Sequence, residues 1–485
     1  PVDSTLSDFV RDWNERYTSP RLIIANAGTM MQEFETKHGK SIPTWSGDFT
    51  PYWEDGAYST AKEEGDVRVL SARLTNLIEA AKILKKPIDP HLLYRAKRSI
   101  VMWHEHTWGA WCSISDPDAH FTTDQWRVKK AFADSAGWYG DHIENSIRPS
   151  TISSDEIISI NTLGWERYSI VKINPLDSNL RCAVNPLGHL QYTEKLHDRQ
   201  LAFGLKTPEK ATIGTRLSNS SSPGLSVLSS AYTRWTGYTG AFRVLGGIRA
   251  DTSDSSLDGL LEWQRQLLSG NSHDEWPRLA SYNAIDQRQL VNDGIVRVLL
   301  NGTDSIETVI DDASVPIRIR TTVHKKSFRE KESLHLALPF QIPNATVRIG
   351  ISDTCVTPES GRIPGSNNDF FCAQRWIDVS NDSMGVTIVC PQGAIWEVGD
   401  MVDERKVNPG KGTNPERYKA WKTEAKSSST IYLYALNNYW HTNFKADQEG
   451  PITFDLYLKM HGPFKLEEAR RFGLEMTRPL ITWWK

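Results

Sequence analysis

Residues 67–109 read VRVLSARLTNLIEAAKILKKPIDPHLLYRAKRSIVMWHEHTWG, and this stretch decides how the chain is expected to fold. Apolar side chains recur at helical spacing in its first half: Leu70, Leu74, Leu77, Ile78, Ala81 and Leu84. This period predicts an amphipathic helix that ends before Pro87. A second helix is predicted from about Pro90 to Trp103, and it leads into a turn of residues 104–109.

A third helix is predicted on the C-terminal side of this turn. Thr122 is followed three residues later by Gln125, which is a capping-box pattern, and the helical period continues as far as Ile143. Three amphipathic helices joined by short loops predict a three-helix bundle over residues 59–150.

Beyond residue 150 the pattern changes to short apolar or alternating runs separated by Gly, Pro, Asn and Asp. Examples are IISINTL from Ile157, RYSIVKI from Arg167, VPIRIRTTV from Val315, TIYLYAL from Thr430 and ITFDLYLKM from Ile452. Such runs predict β-sandwich domains over residues 151–485. Two stretches predict short helices instead: LDGLLEWQRQLL from Leu257 and FKLEEARRFGLEM from Phe464.

Residues 1–58 combine a short apolar run, a helix-like stretch and a loop rich in Trp, Gly and Pro. We interpret them as the C-terminal remnant of an α/β domain that carries an acidic loop. The predicted fold class is therefore α+β and multidomain. The remnant is followed by a three-helix bundle and a large all-β sandwich region.

Composition excludes some functions and leaves others open. A net charge of −3 over 485 residues gives no reason to expect a nucleic-acid or membrane partner. No apolar run approaches the roughly 18 residues of a membrane span. The 18 Trp and 15 Tyr fit either sugar binding or the core of a β-rich protein. The chain begins without an initiator Met or signal-peptide pattern, so its natural N-terminus is expected upstream, and its compartment stays open.

The turn of residues 104–109, HEHTWG, offers one candidate metal ligand. His104 and His106 are two positions apart, so on a helix they point about 200° apart and cannot share a metal ion. His104 alone fits a ligand that completes a site supplied from elsewhere. It equally fits a capping or core histidine at a helix C-terminus, where a cation or donor is favoured.

Residues 43–60 combine carboxylates and aromatic rings: Asp48, Glu54 and Asp55 with Trp45, Phe49, Tyr52, Trp53 and Tyr58. A carboxylic acid walled by aromatic rings is desolvated and can act as a general acid, and paired carboxylates cleave glycosidic bonds. The alternative is a structural loop, because an Asp-Gly pair such as Asp55 and Gly56 is also typical of turns.

Several motifs occur in an order that resembles the α-mannosidases of glycoside hydrolase family 38, as a divergent branch. They are Gly47-Asp48-Phe49, Gly56-Ala57-Tyr58-Ser59-Thr60, the helix ending at Leu84, the HEHTWG turn, INTLGWERYSIV, the PGS turn at Pro364, WIDVSNDSMGVTIVCPQG, NNYWHTNF and EARRFGLEMTRPL. Each is moderately specific, and their common order across nearly the whole chain carries the resemblance.

The resemblance implies a retaining, zinc-dependent hydrolysis of α-mannosides. In that family the zinc ion holds two hydroxyls of the mannose, one Asp attacks the anomeric carbon and a second Asp is the acid/base. By position, His104 corresponds to a zinc ligand and Asp48 to the acid/base. Glu105 and Tyr58 correspond to sugar contacts. Trp45 and Asp55, from the same loop, are added as candidate substrate-binding residues.

Two departures limit the expected activity. The family's His-x-Asp ligand pair and its nucleophile segment are absent from the sequence, and the HEHTWG turn differs from that of α-mannosidases proper. We therefore expect most of the N-terminal catalytic domain to be missing and the chain alone to be inactive. The expected partners are a carbohydrate and the missing segment or a second chain, and a homo-oligomer is left open. The alternative is a non-catalytic carbohydrate-binding or structural protein.

Overall fold

The computed structural model describes residues 3, 5–49, 54–106, 108–152, 157–171, 180–184, 189–192, 242–245, 279–280, 295–298, 303–311, 316–327, 329, 333–340, 342–399, 422–438, 440 and 442–484. They form two compact units, Pro1–Gly47 and Asp48–Lys485. No helix among these residues is both long and apolar enough to cross a membrane.

The N-terminal unit contains two helices, α1 (Leu6–Arg16) and α2 (Ala27–His38), followed by the 3-10 turn Gly39–Ser41. Asn26 caps α2, because its side chain accepts a 2.8 Å hydrogen bond from the Thr29 amide. The described part of this unit contains no strand, and neither helix has a buried residue.

The second unit begins with a 3-10 helix (Glu54–Thr60) and three long helices, α3 (Ala61–Leu84), α4 (Pro90–His104) and α5 (His120–Ile147). The three helices are those that the apolar period predicts, and α5 packs against both α3 and α4. The start of α4 follows the rules of helix capping: Pro90 is its first residue, and the Asp89 side chain accepts a 2.8 Å hydrogen bond from the His91 amide.

The predicted capping box at the start of α5 is wrong. The helix begins at His120, so Thr122 already lies inside it. The Thr122 hydroxyl donates to the carbonyl of Asp116 at 2.9 Å, in the preceding loop. Thr122 therefore fastens this loop to the helix and does not serve as the N-cap.

The rest of the second unit is rich in strands. The strands are β1 Ile157–Ile160, β2 Arg167–Val171, β3 Leu180–Val184, β4 His189–Tyr192, β5 Phe242–Leu245, β6 Leu279–Ala280, β7 Ile295–Val298, β8 Thr303–Asp311, β9 Ile317–Lys325, β10 Ser333–Pro339, β11 Thr346–Ile351, β12 Thr354–Val356, β13 Phe371–Cys372, β14 Ile377–Ser380, β15 Gly385–Val389, β16 Ile395–Val398, β17 Thr430–Asn437, β18 Gly450–His461 and β19 Ile481–Trp484. Helix α6 (Leu466–Thr477) confirms the helix predicted from Phe464. The helix predicted from Leu257 lies outside the described residues.

Every described ladder between these strands is antiparallel. The two largest sheets have the strand orders β12-β11-β14-β15-β18-β9-β8-β7 and β13-β16-β17-β10-β5-β6. A smaller sheet, β19-β1-β4, pairs the last strand with the first. The chain thus has an α+β fold with a sheet-rich C-terminal region.

An ion pair between the partly buried His461 and the buried Asp378 crosses three strands of the largest sheet. His461 Nε2 lies 2.7 Å from Asp378 Oδ2, and His461 Nδ1 lies 2.8 Å from the Gly462 carbonyl oxygen. Gly385 stands between the two strands, and a Cβ there would lie 2.5 Å from His461 Cε1. A carboxylate and a carbonyl oxygen only accept hydrogen bonds, so both ring nitrogens carry a proton and the imidazole is charged. The missing Cβ of Gly385 leaves room for this contact.

The same geometry determines how His461 titrates. Burial by itself lowers the pKa of His461, but the hydrogen bond and the charge of Asp378 outweigh burial and raise this pKa above its ordinary value. A raised folded-state pKa contributes stability that is fully present below the unfolded pKa of about 6.5 and is lost as the pH rises through the folded pKa.

Replacing His461→Gln should therefore lower the free energy of unfolding by roughly 1–3 kcal/mol at pH 6 and by much less at alkaline pH, because the charged hydrogen bond exists only at the lower pH. Urea unfolding of both proteins between pH 5.5 and 9 measures the difference. His91→Gln, at an exposed position of α4, is the control. A difference that does not change with pH would contradict the assignment of a charged His461.

Candidate active site

A buried lysine holds the turn that follows α4. Lys129 of α5 is 6% exposed, and its Nζ donates to the carbonyl oxygens of Met102 at 3.0 Å and Glu105 at 2.7 Å. Carbonyl groups at a helix C-terminus lack intrahelical partners and carry partial negative charge, so a cation is favoured there. The same Nζ lies 4.7 Å from the centre of the Trp108 ring. Lys129 therefore fixes both the backbone and an aromatic side chain of the turn.

His104, the predicted zinc ligand, lies beside a buried carboxylate. Its Nδ1 is 3.6 Å from Oε2 of Glu64, and that oxygen accepts a 2.9 Å hydrogen bond from Trp103 Nε1. Glu64 is buried, whereas about a third of the His104 side chain, 36%, is exposed. A metal-ligating histidine commonly has a carboxylate next to its other ring nitrogen, so this placement is compatible with Nε2 acting as a ligand.

The charge of His104 is set by burial and by two cations. Burial lowers the pKa of His104, Arg68 and Lys129 lower it further, and Glu64 acts in the opposite direction and does not compensate. The imidazole is therefore neutral at neutral pH, which is the form that binds a metal ion or accepts a hydrogen bond.

The turn and the 3-10 helix Glu54–Thr60 meet in one packed region. Trp108 Nε1 donates to the Thr60 hydroxyl at 3.0 Å, and the Trp108 ring lies 5.9 Å from the ring of Phe444. Gly56 lies directly against Phe444, since a Cβ on Gly56 would come within 2.4 Å of the ring. Trp108 of the turn and Phe444 of the NNYWHTNF motif thus both pack against the 3-10 helix Glu54–Thr60 and against each other. Three segments that are separate in sequence meet here.

Two of the predicted substrate-binding residues are packed inside the protein. Tyr58 is 2% exposed, its hydroxyl accepts a 2.7 Å hydrogen bond from the Ala394 amide, and burial raises its pKa. Asp55 is fully buried, and its Oδ1 accepts a 3.1 Å hydrogen bond from Trp440 Nε1. These hydrogen bonds stabilise the packing around both side chains. Contact of either side chain with a sugar stays a prediction.

Asp48, the predicted acid/base, is paired with an arginine. Its amide donates to the Gly361 carbonyl at 2.6 Å, and its Oδ2 lies 3.7 Å from Nε of Arg362. Arg362 is held in turn by the Asn368 side chain and the Phe370 carbonyl, both at 3.1 Å. Trp45 belongs to the N-terminal unit and has an exposed side chain.

An open cavity of about 460 Å³ lies between the end of α4 and the first half of α5. Its lining residues are Met102, Glu105, Trp108, Gly109, Phe121, Asp124, Gln125, Val128, Lys129 and Phe132. The structure thus places Glu105, a predicted sugar contact, at a cavity of the size that small ligands occupy. No sequence pattern identified Lys129, Phe121 or Gln125 as lining residues of a site. Lys129 lies on the apolar face of an amphipathic helix, where a lysine is rare, and this position in the sequence could have indicated a special role.

The described residues do not make up a zinc site by themselves. Among them, no three His, Cys, Asp or Glu side chains are grouped so that they could hold a metal ion. His104 and Glu64 offer at most two donors, and zinc sites in proteins use at least three protein ligands. In this part of the chain, His104 is therefore at most one member of a ligand set.

The helices, the antiparallel sheets and their order give the chain the fold of the family 38 glycoside hydrolases, in a divergent form. It is similar to an α-mannosidase from Enterococcus faecalis V583, with a TM-score of 0.54 and 11% identity over 99% of this chain and 64% of the other. It is also similar to a family 38 glycosyl hydrolase from Enterococcus faecalis, with a TM-score of 0.53 and 12% identity over 100% of this chain and 65% of the other.

The chain therefore spans slightly less than two thirds of the length of these two proteins. No protein-family model matches the sequence, and no curated protein matches it. At 11–12% identity the likeness establishes the fold.

Replacing Lys129→Met should lower the free energy of unfolding by about 2–4 kcal/mol, because the carbonyls of Met102 and Glu105 lose a charged donor while the apolar stem of the side chain is kept. Lys130→Met is the matched control. Lys130 is the next residue along α5 and forms a partly exposed pair with Asp134, so its loss should change stability by no more than about 0.5 kcal/mol. Equal effects of the two substitutions in urea unfolding would show that Lys129 does not hold the turn.

Proposed function

We propose that this chain is part of a glycoside hydrolase of the α-mannosidase type. The observation that carries the proposal is the position of the HEHTWG turn. On a scaffold shared with family 38 over 99–100% of this chain, the turn lies at the edge of an open cavity and is fixed there by Lys129. Carbohydrate is accordingly the proposed substrate class.

The proposed reaction of the complete protein is retaining and zinc-dependent, as the resemblance to family 38 implies. Zinc, when bound, would hold two hydroxyl groups of the substrate mannose, and His104 would be one of its ligands. Glu105 would accept hydrogen bonds from the hydroxyl groups of the sugar. Asp48 would be the acid/base, and it would have to exchange its contact with Arg362 when its carboxyl group transfers a proton.

The proposed partners supply what the described residues lack. A catalytic segment, on the same polypeptide or on a second chain, would provide the nucleophile and the other zinc ligands. The proposed layout is an α/β remnant with the acidic loop at 1–58, a three-helix bundle at 59–150 and β-sandwich domains at 151–485. Contacts of α5 with α3 and α4 support the bundle, and the two large antiparallel sheets support the sandwich.

A second candidate function is a non-catalytic carbohydrate-binding or structural protein on the same scaffold. The burial of Tyr58 and Asp55 favours it, since both side chains are engaged inside the protein. The two candidates differ in whether a catalytic segment accompanies the 485-residue chain.

The encoding DNA should therefore continue upstream in frame and include a His-x-Asp pair, and the longer protein should hydrolyse an aryl α-mannoside with retention of configuration. A chelator should abolish turnover, and His104→Gln should abolish it because one zinc ligand is lost. His91→Gln, on the same helix, should leave the rate unchanged. An upstream region without the His-x-Asp pair would contradict the proposal and favour the binding protein.

The 485-residue chain by itself should not hydrolyse aryl α-mannosides above background, with or without added zinc, because a retaining glycosidase needs two carboxylates and this chain is expected to supply one. Release of the aryl group, followed by absorbance, is the measurement. Turnover that is lost in the Asp48→Asn variant but kept in the Asp66→Asn variant would contradict the expectation that this chain lacks one of the two catalytic carboxylates. Asp66 is the matched control because it lies on the surface of α3 and pairs with Lys62.

A further inference from the structure

We infer that the cavity between α4 and α5 binds a neutral hexopyranose ring of an oligosaccharide, and that Phe121 and Gln125 of α5 determine this binding. The inference deepens the proposed function and rests on it for the sugar class, since it adds a subsite next to the HEHTWG turn. Phe121 and Gln125 lie on α5, outside the motifs that resemble family 38, whereas Glu105 and Trp108 line the cavity from the HEHTWG turn.

The shape and the apolar lining of the cavity suit a sugar ring. Its volume of about 460 Å³ lies within the range of small-molecule sites. Phe121, Gln125, Val128 and Phe132 are spaced by four, three and four residues, so they lie on one face of α5. The Phe121 side chain is 53% exposed, and Trp108 lines the cavity from the turn. The exposed ring of Phe121 can pack against the C–H face of a pyranose, whereas Trp108 is only 7% exposed and belongs to the wall of the cavity.

Polar groups stand beside these rings. Gln125 is half-buried, and its carboxamide makes no hydrogen bond within the described part of the chain. A carboxamide both donates and accepts, as sugar hydroxyl groups do, so Gln125 suits a pair of neighbouring hydroxyls. Glu105 and Asp124 add carboxylate oxygens, which accept hydrogen bonds from hydroxyl groups.

The charges around the cavity select a neutral sugar. Lys129 is the cation among the lining residues, and its ammonium group is engaged by the carbonyls of Met102 and Glu105. A uronic acid or a sugar phosphate would bring its negative charge close to the carboxylates of Glu105 and Asp124. Glu105 lies 3.8 Å from Lys129, and Asp124 pairs with Arg127 at 3.1 Å, so the nearby cations already have carboxylate partners. An anionic sugar would have to displace such a partner, and it should therefore bind more weakly than a neutral one.

The test uses the 485-residue chain and three probes: α-mannobiose, cellobiose and glucuronic acid. Ligand-observed saturation-transfer NMR and calorimetric titration give the Kd of each probe. We expect α-mannobiose to bind and glucuronic acid not to bind. Phe121→Ala should weaken binding about tenfold and Gln125→Ala about threefold, because each removes one contact with the ring. The control is Trp138→Ala, an exposed aromatic residue of α5 outside the cavity, which should bind like the unsubstituted chain.

The outcomes separate this inference from the proposed function. Binding of cellobiose alone, with the same dependence on Phe121, would support the subsite and contradict the α-mannoside specificity. Binding of α-mannobiose that neither α5 substitution weakens would overturn the subsite and leave the proposed function standing. Absence of binding by any neutral probe would overturn the subsite. Self-association of the chain would also overturn the subsite if the Phe121→Ala substitution abolished it, because the cavity would then be an interface between two copies.

Discussion

The Nζ atom of Lys129 lies within hydrogen-bonding distance of two carbonyl oxygens at the end of α4 and 4.7 Å from the centre of the Trp108 ring. Moving an ammonium group out of water is unfavourable by several kcal/mol unless other groups replace the lost hydration. Two carbonyl groups, the negative end of a helix dipole and an aromatic face provide this replacement. Lys129 is therefore a central support of the turn and, with it, of the position of His104 and Glu105.

Contacts on the other side of the turn connect it to the rest of the unit. Trp108 reaches Thr60, Phe444 fills the space left by Gly56, and Glu64 joins Trp103 and His104. These contacts join residues that are about 40 to nearly 400 positions apart in sequence, and they need only a suitable backbone and a few side chains of the right size. This explains in physical terms how the fold of a family 38 hydrolase persists at 11–12% identity.

Local sequence patterns predicted the helices and strands better than they predicted the contacts between distant side chains. The apolar period and the prolines predicted the end of α3 at Leu84 and both ends of α4 to within one residue, because the apolar side chains of these helices face the interior. The capping box at Thr122 failed, because the hydroxyl reaches back to Asp116. The burial of Tyr58 and Asp55 was beyond prediction, since Ala394 and Trp440, their partners, follow them by more than 300 residues in sequence. The pairing of Asp48 with Arg362 is non-local in the same way.

The claim that Lys129 positions the candidate site is tested most directly by a crystal structure of the Lys129→Met protein beside that of the unsubstituted chain. The account predicts that the turn of residues 104–109 and the Trp108 ring are displaced while α3 and the sheets superimpose unchanged. A turn and a Trp108 ring in the same place in both crystals would contradict it.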